Sequence, residues 1–263
     1  MLQELDQYAA ANKVDAAKQP PREAEALSKS LFLAHSTTDT NFSAVCASKR
    51  LLSPSRLAEL SGTRVNPRSP EAILGTAGYV FLYAAPFCRG STGCGFLFAH
   101  TLESAHREDG VATPFDSGGL LHKKVSRPNP AEPARDFLAR HEIPVPEHRD
   151  YLQRAMTLLF AKPADYVVGN EPVWPGPIGL TGGDRRRWTH EVRVADQVSI
   201  PTGYLQAVFA PIRLMTEGGA IESLVKWCRL EGVDCIPLYT SRADDFETLK
   251  RRCVDYILGK LLP

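Results

Sequence analysis

The feature that most constrains this chain is a series of short apolar runs that alternate with helical stretches without settling into a strand-helix-strand rhythm. Leu31 to His35, Gly78 to Tyr83, Gly95 to Ala99, Trp188 to Val194, Tyr204 to Ile212 and Val233 to Tyr239 have the β-branched and aromatic content of strands. Helices are expected after Thr40 through Phe42, Val45 and Cys46, from Asp150 to about Phe160, from about Gly219 to Leu230, and from about Asp244 onward. A doubly wound parallel sheet needs the two element types in strict turn, so this order predicts an α+β fold.

With 263 residues, 43% of them apolar, the chain can bury one sizeable core. No internal repeat or composition shift divides it. Residues 1 to 30, rich in Ala, Gln, Glu and Lys and split by Pro20-Pro21, predict a peripheral helical extension with a mobile joint. Residues 31 to 263 then form the main domain. Within it, residues 110 to 148 hold many of the twenty prolines together with Gly118-Gly119, the composition of a long excursion over the surface.

Thirty-one basic residues against thirty acidic ones leave a formal charge of +1, which argues against a protein that coats nucleic acid or a membrane. Any basic contact must be local. The opening Met-Leu-Gln-Glu-Leu-Asp-Gln places acids where a signal peptide needs a basic start, and no apolar stretch approaches a membrane span. A cytoplasmic protein is expected, or one injected into a target cell's cytoplasm by a system that reads no cleavable apolar signal, with no membrane partner.

Six scattered cysteines read as reduced thiols in a chain too large to need disulfide staples. The series Cys88, Cys94, His100, His106 lacks the short Cys-x-x-Cys pairing that zinc sites favour, so no metal is expected. Gly90 to Gly95 and Gly179 to Gly183 lack the lysine and the following helix of a phosphate-binding loop. Cys88, Cys94 or Ser117 could each supply half of a hydrolase dyad, but none sits in a nucleophile elbow or a cysteine-protease context.

Three residues remain. His35 ends an apolar strand and precedes Ser36, Thr37 and Thr38; Arg89 follows the second strand; Glu191 lies in the apolar strand that leaves the loop Gly179 to Arg187. Each has an ordinary explanation, as a satisfied polar residue, a solvated charge or an outward-facing strand carboxylate. A charge inside a buried strand pattern nevertheless needs a partner or a function, which favours Glu191 over Glu103, Glu108 and Asp116.

In pattern, three separated pieces of the chain resemble the ADP-ribosyltransferase fold, and most nearly its branch of DNA-modifying DarT-type toxins. Leu33-Ala34-His35-Ser36-Thr37-Thr38 with the helix after it is similar to that branch's first strand and histidine. Tyr79 to Tyr83 followed by Pro86-Phe87-Cys88-Arg89 resembles its second strand and trailing arginine, and Trp188 to Val194 with Asp196-Gln197-Val198 resembles its catalytic-glutamate strand. The resemblance implies split mixed or antiparallel sheets flanked by helices in a catalytic domain, with NAD as substrate. It implies Glu191 and Arg89 as catalytic residues, and His35, Ser36, Thr37 and one of Tyr79 and Tyr83 around NAD. Chemically, a carboxylate beside the ribose can stabilise an oxocarbenium-like state and help deprotonate an acceptor.

In arginine-modifying members of this fold the residue two before the glutamate is Glu or Gln; here it is Thr189, which argues against an arginine acceptor. Arg185, Arg186, Arg187 and Trp188 stand where the family has its substrate-recognition loop, and guanidinium groups beside an aromatic suit phosphate contact and base stacking. The expectation is a mono-ADP-ribosyltransferase, as a toxin, effector or defence protein. It would act on DNA or RNA first and protein second, with an antitoxin, immunity or host protein as a further partner. The alternatives are a non-catalytic nucleotide- or partner-binding module on the same fold, and a Cys- or Ser-dependent hydrolase.

Overall fold

The computed structural model describes residues 1–14, 21–84, 93–216, 218–239 and 246–261. In chain order the elements are α1 (Leu2–Ala11), α2 (Pro21–Ser30), β1 (Leu33–Thr37), α3 (Asp39–Ser48), β2 (Arg50–Leu52), α4 (Pro54–Leu60), α5 (Pro70–Leu74), β3 (Tyr79–Tyr83), β4 (Cys94–Phe98), α6 (Leu102–Ala105) and β5 (Gly110–Thr113). A 3-10 turn (Ser117–Leu121) leads to α7 (Ala134–Arg140), β6 (Ile143–Pro144), α8 (Val145–Leu159) and α9 (Pro163–Val168). A second 3-10 turn (Arg185–Arg187) precedes β7 (Glu191–Ala195), β8 (Gln197–Ser199), β9 (Leu205–Pro211), α10 (Ile212–Met215), α11 (Ala220–Glu231), β10 (Asp234–Leu238) and α12 (Phe246–Leu261).

Eight strands form one mixed sheet in the order β10-β9-β4-β1-β3-β7-β5-β6, while β2 and β8 pair separately. Among the described strands only β9 and β10 pair in parallel. This is the expected α+β architecture, with helices against a mixed sheet. The sheet has a seam. β1 pairs with β4 from Leu33↔Phe98 to Thr37↔Cys94, and β3 with β7 from Tyr79↔Ala195 to Tyr83↔Glu191, but β1 meets β3 only at Ala34↔Tyr83.

Alternation decides what each strand presents. Val80 and Leu82 of β3 and Val192 and Val194 of β7 are buried in the main core, so Tyr79, Phe81, Tyr83, Glu191 and Arg193 share the opposite face. The helices bordering that face start on local signals. Thr38 caps α3 by accepting from the Asn41 N–H at 3.0 Å, and Ser53-Pro54 and Ser69-Pro70 each place a serine cap before a first-turn proline.

Two expectations need correction. The N-terminal segment is helical but not peripheral: Leu5, Leu27 and Leu31 are fully buried in the main core, and α1 and α2 pack on α8. Its amphipathic spacing buries one helical face, a contact that polar composition hides. The Pro20-Pro21 joint falls at the edge of residues 15–20, outside the described residues.

Residues 110 to 148 are likewise no excursion. β5 pairs with β7 from Gly110↔Val194 to Thr113↔Glu191, and Phe115, Leu120, Phe137 and Leu138 form a second small core with Leu74, Val125 and Leu180. Proline is accommodated at strand and helix borders, in Pro144 of the edge strand β6 and Pro133 before α7.

Candidate active site

A cavity of about 940 Å³ opens over the β1–β3 seam. His35, Ser36 and Thr37 enter it from β1, Tyr79, Phe81 and Tyr83 from β3, and Glu191 from β7; α3, α4 and α5 form its other wall. Six of the residues expected at the site, His35, Ser36, Thr37, Tyr79, Tyr83 and Glu191, thus meet in one cavity.

His35 holds the seam. Its Nδ1 lies 2.9 Å from the carbonyl oxygen of Phe81. That oxygen can only accept, so Nδ1 carries the hydrogen and Nε2 is left with a lone pair for a ligand. Burial holds the imidazole below its ordinary pKa, so it is neutral at physiological pH.

Glu191 is 1% exposed, with Tyr83 opposite it on β3 and Thr113 opposite it on β5. Its Oε2 accepts the backbone N–H of Ser117 at 3.2 Å. Its Oε1 lies 3.4 Å from Nε of Arg193, an ion pair without hydrogen-bond alignment. Arg193 also binds Glu142 through Nη2 at 2.9 Å, and its guanidinium carbon lies 5.6 Å from the centre of the Tyr79 ring. Burial, and then the charge of Asp116, push the Glu191 carboxyl up to about 8 against the pull of Arg193 and the Ser117 N–H.

Composition could not bring Asp116 and Ser117 here; register and turn geometry do. The Asp116 N–H donates to the Arg186 carbonyl at 2.8 Å, and a Cβ on Gly119 would stand 2.9 Å from Cβ of Arg186, so the two 3-10 turns touch where glycine alone fits. The useful sequence signal was Asp116-Ser117-Gly118-Gly119, a tight polar turn just after a strand. Thr76, 2% exposed, adds a hydroxyl to the cavity wall that has no hydrogen-bond partner among the described residues.

The arginine-rich loop lies elsewhere. None of Arg185, Arg186, Arg187 and Trp188 lines the cavity. Arg186 is 4% exposed and grips Asp184 with Nε and Nη2 at 3.0 and 2.7 Å. Arg187 pairs with Glu171, donates to the Leu180 carbonyl and lies 4.7 Å from the centre of the Trp188 ring. Of the residues expected to meet an acceptor, Arg186 and Arg187 are thus engaged by local acids, and the half-buried Trp188 ring lies against the Arg187 guanidinium. Arg185 is half-buried, with its Nη1 near Gly169. The preceding glycines are also structural, since Gly182 has φ +110° and a Cβ there would meet the Lys124 carbonyl at 2.0 Å.

Arg89 and Cys88 lie in residues 85–92, outside the described residues. The hydrolase alternative finds little support. Burial pushes the Cys94 thiol far above its ordinary pKa, it donates to Asp39, and among the described residues no histidine bonds to Cys94 or Ser117. No group of three metal-ligating side chains occurs among the described residues, and no described helix is long and apolar enough to cross a membrane.

Behind the sheet a buried network braces the strand. His148 lies 3.2 Å from both Glu103 and His190, Arg149 binds Glu103 at 2.5 and 2.9 Å, and Arg149 Nη1 donates to the carbonyls of Ser28 and Leu31 at 2.9 Å. His190 N–H in turn donates to the Tyr166 hydroxyl at 3.1 Å. Burial favours the neutral form of Glu103, but His148 and Arg149 outweigh it and hold the carboxyl at about 2.

Comparison of the chain with protein-family models, curated proteins and solved structures finds no match.

Proposed function

We propose that this protein is a mono-ADP-ribosyltransferase that transfers ADP-ribose from NAD to a macromolecular acceptor. One observation carries this: His35, Tyr79, Tyr83 and Glu191, drawn from three neighbouring strands, line a single cavity large enough for a dinucleotide. The tyrosines offer flat faces to a nicotinamide ring, and the His35 Nε2 and the hydroxyls of Ser36 and Thr37 offer polar partners to ribose and amide groups. Once its raised carboxyl has lost its proton, Glu191 stabilises the positive charge that develops as the C1′–N bond breaks. Reading Arg89 beside the pyrophosphate rests on the sequence pattern alone.

DNA or RNA is the favoured acceptor and protein the second. Support for nucleic acid moves from the arginine turn to the loop between α4 and α5, where Arg64 and Arg68 are exposed and take no ion-pair partner among the described residues. Leu57, Leu60, Pro70 and Glu71, on the helices at either end of that loop, line the cavity. A toxin, effector or defence role would follow from such an activity.

The deciding experiment incubates the protein with labelled NAD and separate pools of DNA, RNA and protein. Nicotinamide release and label transfer that Glu191→Ala abolishes support the proposal. Neither event in the wild type, or equal activity in the variant, sinks it.

A further inference from the structure

We propose that Glu71 and Thr76, on the helical wall of the cavity, form a subsite for a nucleobase that carries an exocyclic amine beside a ring nitrogen. This rests on the reading that the cavity takes a dinucleotide, and it names two residues that the resemblance does not supply.

Thr76 is the anchor. It is 2% exposed, it lines the cavity, and its hydroxyl has no hydrogen-bond partner among the described residues. A buried hydroxyl without a partner is costly to the folded chain, so one that stands in a cavity wall points to a ligand that supplies the bond.

The local sequence sets Glu71 beside it. Ser69 and Pro70 start α5, and Gly75, at φ +74°, ends it in the left-handed conformation that glycine favours. The chain then doubles back on the helix. The Gly75 N–H donates to the Ala72 carbonyl at 3.3 Å and the Thr76 N–H to the Glu71 carbonyl at 2.8 Å, and Glu71 lines the same cavity.

The surroundings fit a base and not a phosphate. Leu57, Leu60, Pro70 and Leu74 line the cavity from α4 and α5, and Leu57 and Leu60 are 52% and 68% exposed, an apolar bed for a flat ring. Arg50 is the one lysine or arginine among the described lining residues, and it stands on β2 with its guanidinium on Gln197 at 3.2 Å. A carboxylate only accepts hydrogen bonds, while a hydroxyl also donates. Together they match an edge with an amine next to a ring nitrogen, as in adenine and cytosine. They oppose a carbonyl next to a ring N–H, as in hypoxanthine and thymine.

The subsite is set apart from the catalytic carboxylate. The Thr76 carbonyl accepts the Tyr79 N–H at 3.1 Å, so Thr76 sits by the start of β3, whereas Glu191 stands opposite Tyr83 at its end. Along the strand these two levels are about 13 Å apart. With the nicotinamide ribose at Glu191, two sources offer the required edge: the adenine of the dinucleotide and a base of the acceptor strand.

The test is calorimetric binding to wild type, Thr76→Val and Glu71→Gln, with a thermal melt of each ligand-free protein. Thr76→Val removes an unpartnered hydroxyl, so it should raise Tm by about 2 °C or more while weakening binding of the base about fivefold or more. The probes separate the sources. If the base is the adenine of the dinucleotide, wild type should prefer NAD over nicotinamide hypoxanthine dinucleotide by about tenfold or more. Thr76→Val then weakens NAD and leaves nicotinamide mononucleotide, which lacks adenine, unchanged. If it is an acceptor base, the same preference and loss appear with single-stranded oligonucleotides, cytosine over thymine, and not with NAD. In either case Glu71→Gln, whose amide both donates and accepts, should bring the preference within about twofold. A wild type that distinguishes neither pair overturns the subsite, a result that needs no variant to fold. So does Thr76→Val that melts lower than wild type, or that binds NAD and oligonucleotides as wild type does. Nicotinamide release is read separately. Base preference without release leaves the subsite standing and refutes the transferase, and release without base preference does the reverse.

Discussion

Tyr83 and Glu191 stand directly opposite one another across the β3–β7 ladder, and the period of two along both strands then sets Tyr79, Phe81 and Arg193 on the same face. A one-residue slip would send Glu191 into the apolar core and Val192 into the cavity. The register that places the carboxylate is therefore protected by the burial of Val192 and Val194 on the other side.

Glu191→Gln should lower nicotinamide release at least about 100-fold while making the protein more stable in mild alkali. The folded carboxyl titrates at about 8, above the unfolded range near 4.5, so folded Glu191 binds a proton that the unfolded chain has lost. Stability therefore falls as pH rises between these values. Thermal melts at pH 5 and pH 8.5 check this: the variant should gain several degrees at the higher pH and little at the lower.

His35→Ala removes the N–H that meets the Phe81 carbonyl across the seam. It should cost about 1 to 3 kcal/mol in denaturant unfolding and raise KM for NAD more than it lowers kcat. An unchanged KM in a folded variant would remove the imidazole from the ligand site.

Arg149→Ala should destabilise by roughly 3 to 5 kcal/mol, because it strands the buried Glu103 and leaves the Ser28 and Leu31 carbonyls without their donor. In the wild type, Glu103 is held at about 2, below its unfolded value, so its contribution is present above about pH 4.5 and lost as pH falls toward 2. Acid unfolding of wild type and Glu103→Gln should differ in that window.

Arg186→Ala should cost about 2 kcal/mol in stability, since Asp184 loses a two-point partner, with acceptor affinity affected only through that loss. Arg64→Ala and Arg68→Ala should leave stability unchanged. On a nucleic-acid acceptor each should lower the slope of log affinity against log salt by about one. Acceptor binding at two salt concentrations separates the two sets.

Much of this molecule was legible in the chain. Local propensity and periodicity marked β1, β3, β4, β7 and β9 within a few residues, and the helix expected after Thr40 is α3, which begins one residue after its Thr38 cap. The strand pieces around His35, Tyr79 and Glu191 were readable because a polar residue in or beside an apolar run is a local signal. Other features depend on contacts that no local window contains. Arg185 to Arg187 look alike in sequence, yet Asp184 and Glu171 bind two of their guanidinium groups inward.

The sequence by itself determined the α+β class, the positions of β1, β3, β4, β7, β9, β10 and of the helices α3, α8, α11 and α12, and the candidates His35, Tyr79, Tyr83 and Glu191, because these follow from spacing along a few neighbouring residues. Only the tertiary structure decided that β5 lies beside β7, that the turn after it delivers Asp116 and Ser117 to Glu191, and that α1 and α2 complete the core. Strand order and turn-to-turn contact join residues far apart in the chain, and burial and register choose among pairings that local composition leaves equal.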